Sequence, residues 1–111
     1  MPVPEASLSP QQRKVRKMRR DAVGAAIRRA REAAKMNQDE LAAASGVSRP
    51  VIARIELGNS SVQIDRLWDL AEALTTTPSA LLADAEQHLA ADTKATGSPA
   101  VQAPKKRGTR A

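Results

Sequence analysis

Three observations predict an all-α fold for this 111-residue chain. Apolar residues recur at spacings of three and four, Val and Ile never alternate with polar residues over a run as a strand would require, and cap residues, glycines and prolines punctuate the candidate helices. The composition is 41% hydrophobic with no Phe, no Tyr and one Trp, so the core must be aliphatic and alanine-rich. A chain of this length supports one small domain.

The first helix is expected from about Asp21 to Ala34, because Val23, Ile27, Ala30 and Ala34 fall at four, three and four and share a face. Upstream, Ser9-Pro10-Gln11-Gln12 has the form of a capping box with proline at the first helical position. Val15 and Met18 project roughly 100° away from the Val23 stripe, so residues 10–20 read as a helical or inducible basic arm outside the main core. The second helix runs from about Gln38 to Ser45, with Asn37 as N-cap and Asp39 and Glu40 in its first turn, where the helix dipole favours acids. Gly46 ends it. Ser48 is the next N-cap, Pro50 sits in the first turn where its missing N–H costs little, and the third helix continues through Glu56 to the stop at Gly58.

In a fourth helix, Ile64, Leu67, Ala71 and Leu74 repeat at three, four and three and read as core. Thr77-Pro78 starts a fifth, whose stripe of Leu81, Leu82, Ala85 and Leu89 is too wide for a small core to cover. Part of that stripe, with Trp68, is expected to meet a second subunit; the competing reading is that Trp68 only closes the core. From Asp92 onward the segment DTKATGSPAVQAPKKRGTRA has no apolar period and reads as a disordered tail. The expected organisation is therefore a basic N-terminal arm over 1–20, a helical domain over 21–91 and a basic C-terminal tail over 92–111.

The net charge of +6 is unevenly distributed. Residues 1–20 hold six bases against Glu5, residues 94–111 hold five bases and no acid, and the interval between carries seven bases against eleven acids. Both flanks are thus +5 and the middle −4. Such flanks either hold a polyanion through counterion release or serve only as solubilising tails. With no cysteine there is neither a disulfide framework nor a thiolate metal site. His88 is the single histidine, an ordinary surface residue rather than a ligand, and no metal or other cofactor is expected. No apolar run approaches the roughly 20 residues of a membrane span, and MPVPEASLSP lacks the order of a signal peptide, so a cytoplasmic protein is expected, on the nucleoid when bound to DNA. There is no Gly-rich phosphate loop and no Ser/His/Asp or Cys/His set, which argues against an enzyme.

Helices two and three, joined by a short turn containing glycine, form a helix-turn-helix, the arrangement that carries its second helix into the DNA major groove. Ala42, Gly46, Val47, Ile52 and Ile55 meet its requirements together, and they leave Arg49, Pro50, Ala53 and Arg54 on the outer face. The stretch QDELAAASGVSRPVIARIELGN, preceded by AIRRAREAAKMN and followed by IDRLWDLAEALTTTPSALL, resembles the Cro/cI-type helix-turn-helix family, also called the XRE family, over about residues 21–83. The resemblance implies a compact five-helix, lambda repressor-like domain, usually dimeric, that binds double-stranded operator DNA as a transcriptional regulator, most often a repressor. By residue, it implies that Gln38 touches the DNA backbone and buttresses the reading helix, and that Arg49, Pro50 and Arg54 meet base edges beside Ala53. It places Ser48 at a position that caps and touches phosphate, and Asn59 against the sugar-phosphate. Arg31 and Glu56 match a pair linking the first helix to the end of the third.

Two positions depart from the family pattern. Lys35 stands where a glycine is preferred, which puts an L side chain in a left-handed turn. Pro50 replaces a hydrogen-bonding side chain; it can pack on a thymine methyl but cannot read a base by hydrogen bonds. Arg49 and Arg54 keep the capacity for bidentate contact with guanine, or for clamping phosphate instead. The alternative function on the same fold is that of an antitoxin or a bridging coactivator, working mainly through a protein partner whose identity the sequence does not specify.

Overall fold

Ser9 and Gln12 start the first helix reciprocally: the Gln12 amide donates to Ser9 Oγ at 3.1 Å and the Ser9 amide donates to Gln12 Oε1 at 2.9 Å. In the computed structural model, which describes residues 7–96 with side chains through residue 91, that helix is α1 (Pro10–Ala33). It is followed by α2 (Gln38–Ser45), α3 (Arg49–Glu56), α4 (Ile64–Ala73) and α5 (Pro78–Thr96), with no strand among the described residues. α1 lies against α5 on one side and α3 on the other, while α2 packs on α3 and α4. None of these helices is long and apolar enough to cross a membrane.

The boundary expected at residue 20 does not interrupt the chain, because α1 is continuous through it. The reason is a second apolar stripe. Val15, Met18, Ala22 and Ala26 fall at three, four and four, and Ala22 and Ala26 are buried with Ala85 of α5, with Val23 and Leu89 packed around them. Small residues here let two long helices approach closely. Leu8, just before α1, is buried as well. At the other end α5 runs past Asp92 to Thr96, and the remainder of the expected tail, residues 97–111, lies outside the described residues.

The main core gathers Ile27, Leu41, Val47, Ile52, Ile55, Leu67, Leu70, Ala71, Leu74 and Leu81. Most of the expected stripes are there, with two corrections. Ala34 is exposed, because it is already the C-cap of α1 and lies past the last turn that the core covers. Ile64 is also exposed, at 61%; it opens α4 at the rim, and the buried face of that helix runs through Leu67, Leu70, Ala71 and Leu74. Trp68 is half exposed, as is much of Leu82.

Three of the helix ends follow one scheme. At the end of α3 the Gly58 amide donates to the Ile55 carbonyl at 3.0 Å and the Asn59 amide to Arg54 at 2.9 Å, with Gly58 at φ +75. This is the Schellman arrangement, which satisfies carbonyls a helix end would otherwise leave unpaired. α1 and α4 end in the same way, but with Lys35 and Thr75 in the left-handed position, both at φ +58. The strain expected at Lys35 is therefore present, and Thr75 carries more of it because its β-branched side chain crowds the backbone.

Candidate nucleic-acid interface

The site begins with how α3 is held. Its inner face buries Ile52 and Ile55, and the preceding Val47 plugs the turn behind it. Gly46, left-handed at φ +78, ends α2 and leaves only Val47 and Ser48 before α3. α1 then crosses the end of α3 at Gly24. A Cβ there would strike the Ile55 carbonyl oxygen and lie 2.9 Å from that of Glu56, so only glycine allows this approach.

A polar cluster fixes the crossing. Arg31 Nε donates to Glu56 Oε2 at 2.7 Å and Nη2 to Oε1 at 3.0 Å, a bidentate pair whose side chains are only 12% and 4% exposed. Arg31 Nη1 also donates to the Met36 carbonyl at 2.8 Å, and Gln38 Nε2 donates to Glu56 Oε1 at 3.0 Å. One carboxylate at the last residue of α3 thus joins α1, the α1–α2 turn and α2. Hydrogen bonding to the Glu56 carboxylate raises the Arg31 pKa above its ordinary value, outweighing the opposing effect of burial. Stability drawn from a raised value is complete below the ordinary arginine range and is lost only as pH rises past it, so Arg31 adds no pH dependence near neutrality.

The outer face of α3 carries the residues expected there. Arg49, Pro50 and Arg54 are exposed and Ala53 is half-buried between them. Arg49 opens the helix and Pro50 occupies its second position. The two arginines differ: Arg49 Nη1 lies 3.3 Å from Asp39 Oδ2, an exposed pair that spans the helix-turn-helix, whereas Arg54 has no side-chain partner among the described residues. Ser48 takes the N-cap position, but its hydroxyl makes no capping bond and remains exposed. Asn59 is exposed just past the end of α3, and Gln38 sits at the first position of α2 with its amide turned onto Glu56. The expected residues thus sit at the start of α2 (Gln38), at the start and along the exposed positions of α3 (Ser48, Arg49, Pro50, Arg54), and just past its end (Asn59).

Three participants were not singled out by sequence reasoning. Lys17 Nζ lies 3.3 Å from the carbonyl oxygens of both Leu57 and Gly58, and Arg20 Nε donates to Gly58 O at 3.2 Å, so two bases of the expected arm cap the C-terminus of α3. Asp39 holds Arg49. The signal for the first two was the spacing of bases at 13, 16, 17 and 20, a helical stripe hidden when the segment is treated as a detached arm. Among the described residues no cluster of three or more His, Cys, Asp or Glu side chains could hold a metal ion.

The comparison with known proteins agrees with this geometry. The helix-turn-helix family model matches residues 27–81, about half of the chain. Among solved structures, the clp gene regulator ClgR from Corynebacterium glutamicum is similar, with a TM-score of 0.68 and 29% sequence identity over 75% of this chain and 88% of that one. A search of curated proteins found no match. On this fold, this helix-turn-helix and these matches, the chain belongs to the Cro/cI-type, or XRE, helix-turn-helix family of DNA-binding transcriptional regulators.

Proposed function

We propose that the protein is a sequence-specific repressor that binds a two-fold-symmetric operator as a homodimer, with α3 reading the major groove. The observation that carries this is the division of α3 into two faces: Ile52 and Ile55 anchor it, and Arg49, Pro50 and Arg54 are left outside. Arg54, without a side-chain partner among the described residues, is the candidate for bidentate contact with guanine, and Pro50 offers an apolar surface to a thymine methyl. Ser48, Gln38 and Asn59 supply hydrogen-bonding groups around α3 for the phosphates that set its register. The dimer is supported by an apolar face on α4 and α5 that includes Ile64, Trp68 and Leu82. Ile64 and Leu82 also line a groove of about 290 Å³ running down to Val23, Ile55 and Leu67. A two-fold axis near this face would set two reading helices about one DNA turn apart.

Selection of the protein on a random duplex pool tests the proposal. Enrichment of a palindrome with half-sites centred roughly 10 base pairs apart is expected. On that site Arg54→Ala should weaken binding by about 5- to 150-fold, from the 1–3 kcal/mol of a bidentate contact, while binding to random DNA changes much less. Equal losses on both duplexes would remove Arg54 from base reading, and a pool without enrichment would overturn the regulator.

A further inference from the structure

Arg13, Arg16, Lys17 and Arg20 fall at three, one and three in α1, within an arc of about 100° on the helix. Lys17 and Arg20 are committed to the carbonyls at the end of α3, and Lys17 is also paired with Asp21 at 2.6 Å. They pin α1 across the end of the reading helix, beside Asn59. Arg13 and Arg16 lie one turn further back on the same stripe, about 5–6 Å along the axis. Both are exposed. Arg13 uses one Nη1 donor on the Leu8 carbonyl at 2.6 Å, which leaves other donors of its guanidinium available. From Leu8 to Arg20 the chain holds six bases and no acid.

A continuous helix therefore carries a strip of positive charge that adjoins the exit of α3, where the DNA-backbone contact proposed for Asn59 lies. We propose that Arg13 and Arg16 bind the DNA backbone beside the stretch met by Asn59, which makes the first half of α1 a second, sequence-independent DNA contact of the same domain. The inference rests on the DNA-binding function proposed above and adds a site to it. Guanidiniums on the flank of a helix, with no side chain inserted toward a groove, neutralise phosphate rather than read bases. Lys17 and Arg20 act as positioning residues, since their cations hold the strip at a fixed angle to α3.

The test compares the full chain with the double variant Arg13→Gln/Arg16→Gln on the selected duplex and on random duplex, over a salt series. A second double variant, Arg28→Gln/Arg29→Gln, removes the same charge from the other half of the helix. The first variant should weaken both duplexes by the same factor, on the order of tenfold or more at 0.1 M salt, and reduce the salt slope by about 1.8, from 0.9 per phosphate contact. The second should leave the slope near that of the parent, and both should melt within a few degrees of it. An unchanged slope in the first variant, or equal slope losses in both, would overturn the α1 contact while leaving the regulator intact. If the parent itself selects no duplex, the DNA-binding function fails and the α1 contact with it.

Discussion

The Arg31–Glu56 pair offers the most searching test of how α3 is held. Glu56 is nearly enclosed, and its two oxygens serve Arg31 twice and Gln38 once. Arg31→Ala would leave a buried carboxylate with a single amide donor, a change that costs about 3–5 kcal/mol when one partner of a buried pair is removed. That is a large part of the roughly 5–15 kcal/mol that holds a small domain together. At about 4–8 °C per kcal/mol, the melting temperature should fall by at least about 12 °C. Arg31→Met/Glu56→Leu removes both charges and keeps apolar volume; its stability should return to within about 1–2 kcal/mol of the parent. Urea unfolding followed by far-UV circular dichroism measures Arg31→Ala and the four members of the cycle: the parent, Arg31→Met, Glu56→Leu and the double variant. Trp68 is a poor reporter because it is 52% exposed. Single variants that each cost less than about 1 kcal/mol and add to within about 0.5 kcal/mol in the double would refute the reasoning, since they would show two groups that do not interact.

Gly24→Ala should destabilise the domain by about 2 kcal/mol or more in the same unfolding assay, because the new methyl meets backbone carbonyls of α3 that cannot rotate away. Thr75→Gly and Lys35→Gly should each stabilise by about 0.5–1 kcal/mol, the relief of a left-handed L residue less the flexibility glycine returns to the unfolded chain, with Thr75 the larger gain. Asp39→Asn should tighten DNA binding in a filter or anisotropy titration by up to about fivefold, because it frees Arg49 from an exposed pair of that worth and removes a negative charge beside the DNA.

The local structure of this chain was legible because its signals are local. Ser9 with Gln12, Asn37 as N-cap, and Thr77 ahead of Pro78 mark helix starts through contacts that span three residues, and each start is where it was read; the return bond from Glu40 to the Asn37 amide is an addition of the structure. The turn at Gly46 and the anchors Val47, Ile52 and Ile55 follow from spacing along one short segment. What spacing could not say was which of two stripes on α1 would be covered. Val15 and Met18 looked detached from Val23 because only one buried face was assumed, and the packing of α5 on Ala22 and Ala26 supplies the other. Ile64 fits the helical period as well as Leu70 does, yet the fold buries Leu70 and leaves Ile64 at the rim.

The sequence by itself determined the helices, their caps and the division of α3 into an apolar face and an arginine-bearing one, since each depends on residues within a turn or two of one another. Only the tertiary structure decided how those parts are used. It brought Glu56 within reach of Arg31, 25 residues away, and Gly58 within reach of Lys17, 41 residues away. It set Asp39 against Arg49 while leaving Arg54 without a side-chain partner among the described residues. The contacts of α1 with α3 depend on the close approach that Gly24 allows, and no local pattern records which distant group such a surface will meet.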